Sequence, residues 1–260
     1  MIVTRKGKVI KMASLSESIS AWASGIKADF ILNFIKEDRW KFITSGLKNT
    51  LYITFFAVFI GIVLGVIVAV VRSSYDKTAK DMKKGFKKFL LSFFNAVCKV
   101  YLTVIRGTPV VVQLMIMYYI IFATSRNSVL VAVLAFGINS GAYVAEIVRS
   151  GIQSIDAGQF EAGRSLGFNY ASTMWYIIIP QAFKNILPAL ANEFIVLLKE
   201  TSVAGYVTIR DLTMAGNIIR SSTYSAFMPL IAVAVIYLVM VMFFTWLVGK
   251  LERRLRSSER

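Results

Sequence analysis

Residues 161–190 read EAGRSLGFNYASTMWYIIIPQAFKNILPAL, a polar segment bearing Glu161 and Arg164 that gives way to the apolar run 174–179 and then to two prolines, Pro180 and Pro188. Just upstream, Asp156 is followed three residues later by Gln159, an Asp form of the capping box that predicts a helix starting at Ala157. Gly167 can end that helix as a left-handed cap. The result is a helix of about ten residues, marginal alone and in need of a partner surface. Ala162, Leu166 and Phe168 offer it an apolar contact; Glu161 and Arg164 offer polar ones.

The segments around this helix are too apolar for a soluble domain. The chain has 260 residues, 57% of them hydrophobic, a mean hydropathy of +0.65 and 17% charged residues, where soluble proteins carry about a quarter. Residues 51–71, LYITFFAVFIGIVLGVIVAVV, supply 21 positions without a charge, which suits a helix crossing ~30 Å of hydrocarbon. Residues 127–145 and 226–249 supply 19 and 24 more. These runs are continuous rather than alternating in polarity, which excludes a transmembrane β-barrel. The expectation is an all-α integral membrane protein.

A net charge of +16 raises the question of nucleic acid. The placement of the charge argues against it, because the basic residues flank the hydrophobic spans. Arg72–Lys88 holds seven Lys/Arg against two Asp, and Lys250–Arg260 holds five against two Glu. This is topology information. Cys98 stands alone and there is no His, so no intrachain disulfide is possible and a transition-metal site is not expected.

Span parity turns on 86–125. Two spans there would put the two basic segments on opposite sides of the membrane, whereas one interrupted span puts both inside, as the positive-inside rule requires. Arg106-Gly107-Thr108-Pro109 supplies the interruption, since Pro109 lacks a backbone donor and disfavours helix at Thr108. The count is therefore five, with the N-terminus outside and the C-terminus and the loop 149–171 cytoplasmic. An outside N-terminus conflicts with nine basic against four acidic residues in 1–50. Initiation at Met12 would leave five against four. Leu15, Ile19, Trp22, Ile26, Phe30 and Phe34 recur every three or four residues, as in an amphipathic helix on the membrane surface.

The pattern Glu161-Ala162-Gly163, Gly167, Ile177, Ile179-Pro180 resembles the EAA loop of ABC-transporter permeases, with Gly163 replacing the family's third Ala and Ile179 its Leu. Further signs are Gly46-Leu47, Asn49-Thr50-Leu51, Arg106-Gly107-Thr108-Pro109, Gln113-Leu114, Tyr118-Tyr119, Ala142-Tyr143, Glu146-Ile147, Arg149, Gly158-Gln159, Pro180-Gln181-Ala182-Phe183, Leu187-Pro188 and Leu198-Lys199-Glu200-Thr201-Ser202. Their order and spacing over roughly 45–256 resemble the permeases for polar amino acids. The resemblance implies a MetI-like fold and a transport subunit rather than an enzyme. It implies as partners ABC ATPase subunits, a second permease subunit, like or related, and an extracytoplasmic amino-acid-binding protein. On this reading Asp156, Gln159, Glu161, Ala162, Gly163, Arg164, Leu166 and Gly167 form the ATPase-coupling site. The expected organisation is an N-terminal tail 1–42, a permease domain 43–256 and a cytoplasmic tail 257–260, in the bacterial inner membrane.

Charged and polar residues within spans usually face protein or water. Asn139, Tyr143 and Glu146 fall at i, i+4 and i+7 on one helix face, and Asn192 and Glu193 follow Pro188. These five are candidates for lining the path of a zwitterionic polar amino acid. Glu146 with Arg149, or Glu193 with a lysine, read more readily as buried structural pairs. The small-residue stripe Ala57, Gly61, Gly65 and Ala69 favours close helix packing, within the subunit or between subunits.

The chain carries no phosphate-binding loop, because neither Gly7-Lys8 nor Gly249-Lys250 is followed by Ser or Thr. No cofactor is expected on this chain; ATP and Mg belong to the partner ATPase. An ion-coupled transporter would rest on Glu146 and Glu193 alone, and a membrane enzyme would need a catalytic constellation that this His-free chain lacks.

Overall fold

The computed structural model describes residues 4–5, 8–9, 24–79, 82 and 85–257. A two-residue antiparallel pair, β1 (Thr4–Arg5) and β2 (Lys8–Val9), precedes an otherwise helical chain. The helices are α1 (24–30), α2 (Trp40–Thr78), α3 (Phe86–Gly107), α4 (Val110–Ile116), α5 (Ser128–Gln153), α6 (Ala157–Ser165), α7 (Tyr170–Thr173), α8 (Ile179–Glu200), α9 (Leu212–Thr223) and α10 (Phe227–Ser257). Residues Leu15, Ile19 and Trp22 of the expected surface helix, and Met12, lie outside the described residues.

Among the described residues, α2, α3, α5 and the Phe227–Leu255 part of α10 are long and apolar enough to cross a membrane. The fifth span is 170–200, where α7 continues through a π-helical turn, Met174–Ile178, into α8. It carries Lys184, Glu193, Lys199 and Glu200, as many charges as α3. The π turn sits immediately before Pro180, which lacks the donor a regular α ladder would use there.

The interruption falls where Pro109 places it. Helix α3 ends at Gly107, Thr108 and Pro109 are extended, and α4 resumes at Val110. The freed carbonyls are not abandoned: the Gln113 side-chain amide donates to the carbonyls of Ile105 (2.7 Å) and Thr108 (3.0 Å).

Helix α2 has 39 residues, a length of about 58 Å at 1.5 Å per residue. It therefore begins well before residue 51 and reaches beyond the hydrocarbon. Helices α2 and α5 pack closely through the small-residue stripe. A Cβ on Gly61 would lie 2.8 Å from Ser140 Oγ, and one on Gly65 2.5 Å from Val144 Cγ1. The stripe therefore serves packing within the subunit. Around it, Ile53, Ala57, Leu114, Ala132, Phe136, Leu197 and Val207 make the main core.

Helix α9, which sequence periodicity did not reveal, folds against the start of α2. Buried Asp211 caps it by accepting from the Thr213 and Met214 amides. Thr50 Oγ1 accepts from the Leu212 amide (3.1 Å) and Asn49 donates to the Arg210 carbonyl (2.9 Å). The inner end of the N-terminal helical stretch joins the same cluster, with Phe34 packed beside Leu212 and Ile219 and Thr223 donating to Asn33 Oδ1 (2.8 Å). At Phe34, then, the stretch packs on protein.

Candidate functional site

The helix expected at 157–167 forms as α6. Asp156 is its N-cap and accepts from the Gly158 amide. The reciprocal half of the capping box is absent: Gln159 instead accepts from Gln181 Nε2 at 3.3 Å, which spends the side chain on a tie to α8. At the other end Gly167 has φ +82°. The Phe168 amide donates to the Gly163 carbonyl (3.0 Å) and the Gly167 amide to the Arg164 carbonyl (2.9 Å), the pair of bonds of a Schellman cap.

Three further contacts hold α6 to the spans. Gly163 is buried, and a Cβ there would stand 2.6 Å from Thr173 Cγ2. That explains the glycine where the EAA pattern has alanine: the larger Thr173 occupies the space. Phe160 stacks on Tyr170 with 10° between the rings, and Lys77 of α2 places its ammonium 4.7 Å from the Phe160 ring centre. Helix α6 is tied in this way to α2, α7 and α8 together.

The opposite side of α6 is open. Glu161, Ala162, Arg164, Leu166 and Phe168 are exposed, with Leu166 74% exposed.

The candidate path residues divide into two groups. Asn139, Tyr143 and Glu146 all face the α3–α4 interruption. Asn139 is buried and donates to Gln113 Oε1 (3.0 Å). Arg106 lies 5.9 Å from the Tyr143 ring centre and 3.3 Å from Glu146 Oε1. Glu193 is buried against the neighbouring side of α5, where Ser140 Oγ donates to it at 2.9 Å. Asn192 is exposed, about 100° around α8 from Glu193. The structure does not bring these two together with the first three into one lining.

The ion pairs also differ from those suggested by sequence proximity. Glu146 takes Arg106 rather than Arg149, and Arg149 takes Asp76 of α2 at 3.0 Å. Gln113 and Arg106, the two residues that organise the interruption, were visible only as parts of a motif. Their partners lie 26 and 40 positions away, beyond any local signal.

Residues 88–257 match the family described as binding-protein-dependent transport system inner membrane component. The arginine transport system permease protein ArtQ of Bacillus subtilis is 40% identical over 162 residues, 61% of this chain and 74% of that protein. The glutamine transport system permease protein GlnP of Escherichia coli K12 is 39% identical over 166 residues, 62% of this chain and 76% of that one. Among solved structures, one described as an amino acid ABC transporter with histidines superposes with a TM-score of 0.73 at 43% identity, covering 85% of this chain and 98% of that one. The inward-facing MetNI methionine ABC transporter superposes at 0.70 with 18% identity, covering 84% and 98%, a likeness of fold.

Proposed function

The chain belongs to the family of binding-protein-dependent transport system inner membrane components, and from that premise we propose that it carries polar amino acids across the bacterial inner membrane. It is a membrane-spanning permease subunit of an ABC importer and not itself an enzyme. The energy comes from a separate ATPase that holds ATP and Mg. A second permease subunit, identical or related, completes the pathway, and an extracytoplasmic binding protein delivers the solute. The permeases for arginine and glutamine among its relatives support a polar amino acid as cargo.

The observation that carries this reading is α6. It is capped at both ends, tied to three other helices, and bare on the face that bears Glu161, Ala162, Arg164 and Leu166. A rigid element of that kind moves as a unit with the spans that hold it. When two ATPase subunits close on ATP, force applied to α6 reaches α7 through Gly163–Thr173, α8 through Gln159–Gln181 and α2 through Phe160–Lys77. The spans then alternate between outward and inward openings. The loop 149–171 and the C-terminus lie in the cytoplasm on this account, because the basic segments Arg72–Lys88 and Lys250–Arg260 face inward. The permease domain covers 43–256, preceded by a tail 1–42 and followed by 257–260.

Affinity purification of the chain from its native membrane in mild detergent, followed by mass spectrometry, tests the assignment. A stoichiometric ATPase with a phosphate-binding loop is the expected companion. A chain that purifies alone contradicts it.

A further inference from the structure

Between α2, α8 and α10 runs a groove of about 460 Å³. Every described residue that lines it is apolar, among them Phe59 of α2, Ala191 and Phe194 of α8, and Phe244, Leu247 and Leu251 of α10. Phe194 and Phe244 meet at one end, with ring centres 4.9 Å apart. From that contact α8 runs backward and α10 forward along the same groove. Lys184 stands ten residues before Phe194 and Arg254 ten residues after Phe244, about 15 Å of helix rise in each case. Lys184 is also seven residues before Ala191 and Arg254 seven after Leu247, two turns along the faces that line the groove. Two cations from two helices therefore stand level with each other at one mouth of an apolar groove. Lys184 is half-buried, as a lysine is when its stem lies along apolar surface. Near the same mouth the Lys250 ammonium lies 5.5 Å from the Trp246 ring centre, and tryptophan beside a basic residue marks the level of lipid headgroups.

We infer that this groove is a site for an anionic phospholipid, with an acyl chain along the phenylalanines and the phosphate held by Lys184 and Arg254. The inference goes beyond the importer reading and requires only that α8 and α10 cross the membrane. An amphiphile with an apolar tail and an anionic head matches both halves of the site. A free phosphate meets the two cations and leaves the groove empty. A neutral phospholipid fills the groove, but its own ammonium accompanies the phosphate to the mouth and opposes Lys184 and Arg254. A helix of a second subunit covers the phenylalanines and brings no counter-charge to the cations beyond them. Lys250 and Arg253, against Glu252 alone, add to the basic character of this end of α10, the placement by which basic clusters beside a span recognise anionic headgroups. Few residues in the apolar stretch of α10 are buried within the chain, 11%. A lipid chain lying between α10, α2 and α8 supplies contacts that the last span does not find in the protein itself.

The test places the complete transporter in phosphatidylcholine nanodiscs containing a small fraction of phosphatidylglycerol with a photoactivatable acyl chain. Phosphatidylcholine bearing the same chain is the reference, and mass spectrometry of peptides locates the label. The phosphatidylglycerol probe is expected to label the groove walls on α8 and α10 at least about fivefold more than the reference, which is what one basic residue near an anionic headgroup supplies. The double variant Lys184→Gln with Arg254→Gln should bring that ratio close to unity. Lys184→Arg with Arg254→Lys, which keeps both charges, should retain it, as should Lys87→Gln at the start of α3, away from the groove. Ala191→Trp, which fills the groove and leaves the cations in place, should lower labelling by both lipids. Gel-filtration profile verifies that each variant is assembled. Equal labelling by the two lipids in the wild type makes the groove ordinary lipid-facing surface and overturns the inference. An unchanged ratio in the charge-removing double variant overturns it as well. Labelling by both lipids elsewhere in the complex but not in the groove assigns the groove to a contact between subunits and likewise overturns the lipid site. ATP-dependent uptake by the same preparations tests the importer reading separately, because it does not enter the labelling ratio.

Discussion

Gly163 and Thr173 meet so closely that a single added carbon at 163 would stand 2.6 Å from the threonine methyl. This contact, between α6 and α7, is where the exposed helix is seated on the chain that becomes α8. Its tightness means that the two helices cannot slide independently.

Replacing Gly163 with Ala is therefore expected to lift α6 from its seat, at an overpacking cost of about 1–3 kcal/mol. The double variant with Thr173→Ala should recover much of the loss, because the two residues share one space. Uptake per ATP hydrolysed is the measurement; additive losses in the double variant would show that the contact carries no coupling.

At Gly167 the constraint is conformational rather than steric. A Cβ there meets nothing within 4 Å, yet φ is +82°, a region that costs a residue with a side chain about 1–2 kcal/mol. Gly167→Val should insert normally but transport poorly, with Gly167→Asn intermediate. Normal transport by the valine variant would remove the Schellman cap from the account.

Glu161 is exposed and makes no structural tie to the spans by its side chain among the described contacts. Its reversal to Lys should leave folding unaffected and weaken retention of the ATPase during purification. Undiminished co-purification would take Glu161 out of the docking face.

Gln113 is expected to matter more for stability than for docking. Gln113→Leu leaves the Ile105 carbonyl and the buried Asn139 amide without their partner, a loss of about 1–3 kcal/mol for an unsatisfied buried group. Thermal unfolding of the purified complex should shift to lower temperature, with Asn139→Ala in the same background adding little. Fully additive shifts would mean that the two side chains act separately.

The parts of this architecture that sequence makes legible are the local ones. Asp156 and Gly167 announce α6 because caps act on backbone groups two or three residues away, and Pro109 announces the α3–α4 break by the donor it lacks. The spacing of Gly61 and Gly65 predicts close packing but not which helix is packed against; only the fold supplies Ser140 and Val144. A pairing with a remote partner leaves no local signal in the sequence. Arg149 stands three positions from Glu146, yet Arg106, brought over by the crossing of α3 and α5, takes that carboxylate. Helix α9 is not legible in the sequence, because its polar outer face, with Asn217, Arg220, Ser221 and Ser222, reads as a connector until α2 and α10 cover its other side.

The most direct test of the central claim is uptake in proteoliposomes holding this chain with its ATPase, partner permease and binding protein. The account predicts that labelled polar amino acid accumulates only when ATP and Mg are supplied on the side bearing α6, and that dissipating sodium and proton gradients leaves the rate unchanged. Accumulation driven by an ion gradient, with ATP making no difference, would contradict it.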